Sequence, residues 1–255
     1  MGVHEAALVH PSAVLGDGCE VGPFCVVEAA AEIGAGCVLE PHSRICRGTR
    51  LGSRVRVGQG AAVGGLAQVR ESTWDGACEI QDGARVGEHA TVHRSASSGG
   101  TTRVGAGAMV LAYAHVAHDC TIGDGAVLAN GVQLGGHVEV GRSAFLGGGA
   151  HVHQRVRIGA YAFAAGRIRL DRDLAPWSRA MGEPPRWAGP NRVALRREPG
   201  APAFERVEAA LRIVFRKGLL LDRAVEELRN SGDPISLELA AFAEGGSRGL
   251  LRPVL

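Results

Sequence analysis

In the stretch VAHDCTIGDGAVLANGVQL, residues 116–134, a branched aliphatic side chain stands at every sixth position: Val116, Ile122, Leu128 and Leu134. Outward from there the register holds at Val104 and Val110, and then at Val140, Leu146, Val152 and Ile158. An earlier run goes from Val3 through Val9, Leu15, Val21, Val27, Ile33, Leu39, Ile45, Leu51 and Val57 to Val63, and a short one covers Ile80, Val86 and Val92. A period of six fits neither a helix, at about 3.6, nor a flat strand, at about 2. Each short segment is too small to bury its apolar face alone, so the segments must stack, and the chain reads as a solenoid.

The residue four positions after each aliphatic is small: Ala13, Cys19, Cys25, Ala31 and Cys37 early, Ala108, Ala114, Cys120, Ala126, Ala144 and Ala150 later. A large inward residue followed by a small one fits a narrow prism of three flat strands per turn. Three hexapeptides then make an 18-residue coil, with coils stacked at the interstrand spacing of ~4.8 Å. Spacing alone does not set the hand of this parallel β-helix. Composition agrees, because 38 glycines and only 11 aromatics among 255 residues leave a core of small aliphatics.

Several classes are disfavoured. No run approaches the ~18 apolar residues of a membrane-spanning helix, and no basic segment followed by an apolar one marks a secretory leader. Four of the six cysteines sit at the small inward position and none forms a Cys-x-x-Cys pair, so they read as buried thiols in a reducing cytoplasm. A net charge of +2 gives no support for nucleic-acid binding. Charge is nevertheless uneven, with Arg167, Arg169, Arg172, Arg179, Arg186, Arg192, Arg196 and Arg197 close together. That stretch is either a solvated rim or a site for an acidic partner or phosphorylated ligand.

The period fails at 64–79 and at 97–103, and insertions of this kind become loops on one face of a solenoid. The expected organisation is a β-helix over 1–175 carrying those two loops, an irregular Pro/Arg-rich connection over 176–202, and a helical C-terminal domain over 203–255. In the tail, Phe204, Val207, Leu211, Val214 and Phe215, then Leu221, Val225 and Leu228, then Leu237, Leu239 and Phe242, predict about three short amphipathic helices. Asp222 and Ser236 are the N-caps this reading expects.

Five of the ten histidines, His115, His118, His137, His151 and His153, fall within forty residues. The hexapeptides beginning at Val116, Leu134 and Val152 start 18 residues apart and therefore share a face. His118 and His137 become neighbours, with His153 and Gln154 one coil further on. Such a polar ladder, rising ~5 Å per step, suits an extended ligand. Three histidines on one face equally suit Zn²⁺, and the residues alone leave both open.

The segments Val116-Ala117-His118-Asp119-Cys120, Gly135-Gly136-His137-Val138, Gly147-Gly148 and Val152-His153-Gln154 resemble the UDP-N-acetylglucosamine O-acyltransferase family of lipid A synthesis. Val9-His10-Pro11, Gly22-Pro23-Phe24-Cys25, Val92-His93-Arg94 and Ser247-Arg248-Gly249-Leu250 extend the resemblance over nearly the whole chain. It implies a left-handed coil, a cytoplasmic homotrimer, and transfer of a (3-hydroxy)acyl chain from acyl carrier protein to the 3-hydroxyl or 3-amino group of the nucleotide sugar. Neither metal nor cofactor is implied. His118 would be the general base, Asp119 its orienting partner, and the Gly136 amide the oxyanion donor. His115, His137, His153 and Gln154 would position substrate, Gly148 and Gly166 would line the acyl groove, and Asn191 and Arg197 would hold a neighbouring subunit's nucleotide.

The resemblance weakens at the first break. The family carries there an Asp-Leu-Lys-Tyr-like segment that grips sugar and phosphates, whereas this chain has Gln68-Val69-Arg70-Glu71-Ser72. Arg70 takes the lysine's place as a phosphate contact, though not an equivalent one, and the acid has no successor. An acid near the uridine is replaced by Val193, and the aromatic after His-Gln by Arg155. Kept chemistry with altered acceptor contacts leaves alternatives: another nucleotide sugar, a CoA donor, or a non-catalytic or metal-binding trimer.

Overall fold

Short strands, mostly of two residues and one per hexapeptide, form three sheets of nine, eight and ten strands, parallel but for the last strand of the third, in a computed structural model that describes residues 2–71 and 75–253. Each strand pairs with the one three further along the chain, as an 18-residue coil requires. On one face the inward residues form a single ladder, Val9, Val27, Ile45, Val63, Val92, Val116, Leu134, Val152 and Leu170. The separation along this ladder widens at only two steps, from Val63 to Val92 and from Val92 to Val116. The two breaks in period therefore add loops while the ladder resumes in register beyond them, with one local irregularity at Val63–Gly65 where the first loop leaves. Val110, Val116 and Leu128 are fully buried, each contributing about 1.5–3 kcal/mol of apolar transfer.

The corners turn through residues with left-handed backbone, among them Asp119 (φ 59°), His137 (φ 60°) and Arg155 (φ 63°). These three are 18 residues apart and stack, His137 N–H donating to His118 O and Arg155 N–H to Gly136 O, both at 3.0 Å. One edge of the prism thereby presents the same corner three times. All six cysteines are buried and free.

The stretch expected to be an irregular connection is more ordered than that. Ser178–Met181 pairs in parallel with Phe163–Ala164, so it continues the ten-stranded sheet, and Arg186–Pro190 returns antiparallel to it. The prolines mislead because they lie in the turn between these strands (Pro184, Pro185) or at a strand end (Pro190), where a missing N–H costs little.

Among the described residues four helices follow, the three expected in the tail and one more inside the expected connection: α1 (Arg192–Arg197), α2 (Phe204–Phe215), α3 (Leu221–Asn230) and α4 (Pro234–Glu244). The expected caps are corrected. Asp222 lies in the first turn of α3, whose cap position is Leu220. Ser236 lies inside α4, which is capped by Asp233 through its carboxylate and the N–H groups of Ile235 and Ser236. Asp233 stands before Pro234, and proline at a first helical position marks the true start. The helices share a core of Tyr161, Trp177, Trp187, Leu211, Leu228 and Leu239, while Leu251 joins the core of the coil.

A buried ion pair joins the two parts. Asp173, 1% exposed, takes Arg157 N–H at 2.8 Å and the Arg157 guanidinium at 3.0 Å. Arg157 also donates to Phe242 O and lies 4.3 Å from the Phe242 ring centre. Among the described residues no helix is long and apolar enough to cross a membrane.

Candidate active site

The stacked corner brings His118, Asp119, Gly136 and His137 together, as their register predicts. The strand His115–Val116 delivers the first corner, and Gln133–Leu134 the second, directly above it. His118 Nδ1 lies 2.7 Å from Asp119 Oδ2. An ionised carboxylate only accepts, so Nδ1 carries the proton and Nε2 keeps its lone pair. The His137 ring meets the His118 ring edge-on, 5.2 Å between centres, with its Nε2 3.8 Å from Asp119 Oδ2.

Gly136 is required by the imidazole above it. A Cβ there would lie 2.6 Å from both Cε1 and Nε2 of His118. The N–H of Gly136 donates to no protein group among the described residues, so it is available to a ligand.

Asp119 is held from several sides. Its Oδ1 accepts the Ser95 hydroxyl, its Oδ2 accepts Ala96 N–H at 3.3 Å as well as His118, and its own N–H donates to Thr102 Oγ1 at 2.8 Å. Burial pushes the carboxyl up, but the bonds from Ser95, His118 and Ala96, with His137 nearby, outweigh it and hold Asp119 below its ordinary value. The surrounding imidazoles are held neutral. Burial, then His115 and His118, depress His93 to about 4, and burial with His118 depresses His115. For His137, burial with Arg155 and His118 outweighs the attraction of Asp119. His115 Nδ1 is fixed by Thr91 Oγ1 at 2.7 Å, and its ring meets that of His93 at 5.0 Å.

Arg94, next to His93, is 2% exposed and donates to Gly64 O and Gly76 O, each at 3.0 Å, and to Arg47 O. It thus clasps both ends of the first inserted loop. Arg70 is exposed within that loop, whereas Ser72 lies outside the described residues.

Other expected contact residues are placed as follows. His153 and Gln154 sit one coil above the His137 corner, where Arg248 from the tail donates to His153 Nδ1 (2.7 Å) and Gln154 O (3.0 Å). Arginine is only a donor, so Nε2–H of His153 is the edge left for a ligand. An open cleft of about 770 Å³ beside it is lined by Gln133, Gly135, His151, His153, Arg169 and Asp171. Gly166 stacks over Gly148, where a Cβ would meet Gly148 O at 3.1 Å. Asn191 is buried, donating to Tyr161 O at 2.8 Å and capping α1 through Ala194 N–H at 3.3 Å. Its side chain therefore sets the helix that ends in Arg197. Sequence reasoning missed Thr91, Ser95, Thr102 and the contact role of Arg248. Ser95 and Thr102 flank or fall in a break of the repeat, where register assigns no direction.

Among the described residues, His118, Asp119 and His137 also form a group whose ligand atoms lie within 4.8 Å of one another, as a metal ion would need. Within the chain this group holds two histidines and a carboxylate, not the three histidines of the zinc alternative.

Comparison with known proteins identifies the family of the chain. A model described as bacterial transferase hexapeptide (six repeats) matches residues 12–47 and 101–136, and one described as Udp N-acetylglucosamine O-acyltransferase, domain 2, matches residues 173–251. The acyl-[acyl-carrier-protein]–UDP-N-acetylglucosamine O-acyltransferase of Trichlorobacter lovleyi is 44% identical over 99% of this chain and 100% of its own length. That of Anaeromyxobacter dehalogenans (strain 2CP-1) is 36% identical with the same coverage. Among solved structures, the Moraxella catarrhalis UDP-N-acetylglucosamine O-acyltransferase superposes with a TM-score of 0.94 at 33% identity, covering 99% and 100% of the two chains. The Francisella novicida enzyme gives 0.94 at 29%, covering 98% and 94%. With these relatives the coil is left-handed, and the chain belongs to the UDP-N-acetylglucosamine O-acyltransferase family.

Proposed function

We propose that this chain transfers an acyl group from acyl carrier protein to the glucosamine 3-position of UDP-N-acetylglucosamine, with His118 as general base. The observation that carries the reading is the His118–Asp119 pair standing over the unengaged N–H of Gly136. His118 Nε2 removes the acceptor proton as its oxygen attacks the thioester carbonyl. Gly136 N–H receives the developing oxyanion. Collapse expels the pantetheine thiolate, which takes the proton back from the imidazolium, so no covalent enzyme intermediate forms. Asp119 stabilises the imidazolium and keeps its tautomer.

The neutral imidazoles of His115 and His137 offer hydrogen bonds without adding charge beside the base. His153 presents Nε2–H to a carbonyl or phosphate oxygen, Gln154 supports it, and the stacked Gly148 and Gly166 leave room for the acyl chain. Arg70 and Arg197 supply phosphate contacts. The single stacked corner lies on one prism edge, and a trimer would place Asn191 and Arg197 of a neighbour against it. Light scattering of the purified protein tests that arrangement, and a monomer argues against it. Acyl carrier protein and a nucleotide sugar as substrates support a cytoplasmic location.

Purified protein, 3-hydroxyacyl carrier proteins of graded length and a panel of UDP-sugars provide the central test. Acylation of UDP-N-acetylglucosamine that disappears in His118→Ala supports the reading. Efficient use of another sugar only, as the altered 64–79 loop and Val193 would allow, assigns a different acceptor. Substitution of CoA thioesters checks the donor. The clustered His118, Asp119 and His137 favour one second reading, a metal centre; stoichiometric Zn²⁺ in native protein and activity lost on chelation would select it.

A further inference from the structure

Both oxygens of Asp119 are engaged, and only one of them by the base. Ser95, fully buried, reaches the other. Its hydroxyl has one proton and two acceptors in reach, Asp119 Oδ1 and, at 3.2 Å, Ser97 O. The carboxylate wins, because a charged acceptor forms the shorter bond, roughly twice as strong as a neutral one. Ser97 N–H donates back to Ser95 Oγ at 3.0 Å, filling a lone pair and aiming the proton at the carboxylate. On the other side Thr102, also fully buried, holds the Asp119 N–H in its left-handed corner.

The pocket is closed around the serine. A Cβ on Gly100 would fall 2.3 Å from Ser95 Oγ, and one on Gly76 would strike the Ser95 backbone. Ser95 therefore has no path to substrate, and its hydroxyl has no solvent to satisfy it. A rotation of the carboxylate about its Cβ–Cγ bond would carry Oδ2 away from His118 Nδ1. The Ser95 bond at Oδ1 opposes it, together with the longer Ala96 N–H bond at Oδ2 (3.3 Å).

We propose that Ser95 is a positioning residue of the acyl transfer, its hydroxyl locking the Asp119 carboxylate so that His118 is held as the Nε2-basic tautomer. This makes the second break in the repeat part of the catalytic apparatus, since residues 95, 96 and 102 all bind Asp119. The proposal rests on the general-base reading of His118. It adds a relay, Ser95–Asp119–His118, in which the serine acts only through the other two.

The test compares wild type, Ser95→Ala, Asp119→Ala, the double variant and His118→Ala, with 3-hydroxyacyl carrier protein and UDP-N-acetylglucosamine as substrates. Ser95→Ala is expected to lower kcat about 10- to 100-fold, the range for a group that orients an active-site ligand, with KM nearly unchanged. The thermal midpoint falls as well, because Asp119 Oδ1 and Ser97 N–H lose a buried partner, so kcat is compared at a temperature where every variant is folded. In the Asp119→Ala background the same substitution should alter kcat by less than about twofold, as expected when two residues act as one unit. Losses that multiply, or a change confined to KM, overturn the relay. An inactive wild type, or full activity in His118→Ala, removes the underlying reading and the relay with it. An inactive His118→Ala beside a fully active Ser95→Ala removes Ser95 alone.

Discussion

Gly136→Ala separates the two roles of this glycine, and the structure fixes the direction of the result. The added Cβ would stand 2.6 Å from Cε1 and Nε2 of His118 and 3.2 Å from Cδ2. Ordinary contact begins at 3.4 Å, so the ring edge must retreat by about 0.8 Å. Gly136 is not among the residues with positive φ, so alanine meets no backbone penalty and its smaller unfolded-state entropy is worth ~0.4–1 kcal/mol in its favour. The amide N–H also survives, so the proposed oxyanion contact is intact. What changes is the reach of Nε2 and its alignment through the 2.7 Å bond to Asp119. A displacement near 1 Å costs about 10²-fold in rate, roughly 2.7 kcal/mol of barrier. Steady-state kinetics should show that loss in kcat with KM little changed. Thermal melts of Gly136→Ala, His118→Ala and the double variant complete the test, because any loss of stability caused by the clash should vanish once the ring is gone. A Gly136→Ala enzyme retaining half of wild-type kcat would refute the geometric argument.

Arg94→Met leaves the carbonyls of Arg47, Gly64 and Gly76 without their donor. At about 1–3 kcal/mol per orphaned group, partly offset by no longer burying a charge, a net loss of ~3 kcal/mol is expected in urea melts, with faster proteolysis between Gly64 and Gly76; an unchanged midpoint contradicts the clasp. Asp173→Ala strands the Arg157 guanidinium against Phe242 and should cost about 3–5 kcal/mol, read in the same melts. Arg70→Gln should raise KM for the nucleotide sugar about tenfold with kcat preserved, the pattern of lost uniform binding; an unchanged KM removes Arg70 from the acceptor site. The pH dependence of stability follows from His93, whose folded value of about 4 lies below its ordinary 6.5. The unfolded chain binds that proton first as pH falls, so stability is full above pH 6.5 and is lost between about 6.5 and 4. Asp119, also depressed, adds a loss only below its ordinary 3.8. His93→Asn should reduce the slope of melting temperature against pH between 7 and 4.5, the remainder coming from His115 and His137, which are depressed in the same sense, and an unaltered slope would assign the loss elsewhere.

The six-residue period carried more than the fold. Because its register is strict, it placed His118 beside His137 before any coordinates, and the parallel pairing of Val116 with Leu134 produces that contact. Legibility stops where the register does. Ser95 and Thr102 lie at a break, and nothing in a run of small polar residues says which will turn inward toward Asp119. The tail misled for a different reason. Prolines signal where an N–H is missing, not whether the neighbours need one, so the hairpin of Ser178–Met181 and Arg186–Pro190 read as irregular. Likewise Asp222 and Ser236 are good capping residues by type, but Pro234 and the chain geometry set the helix starts elsewhere.

The division of labour between regular and irregular parts has a physical origin. A two-residue strand fixes direction well but offers one outward side chain per hexapeptide, here His115, Gln133 or His151. A base needs a partner at hydrogen-bond distance, and a carboxylate partner needs donors of its own, more groups than one corner supplies. The insertion after His93 provides them, sending Ser95, Ala96 and Thr102 onto Asp119 while Arg94 turns back to close the first loop. Nine residues, 94–102, therefore tie the first inserted loop and the His118–Asp119 pair to the same point on the coil. Substitutions in that loop can then vary without moving His118, provided Arg94 keeps its three carbonyls. Arg70, inside the loop that Arg94 holds, can therefore differ from the lysine that the resemblance expects there while the His118–Asp119 contact stays in place.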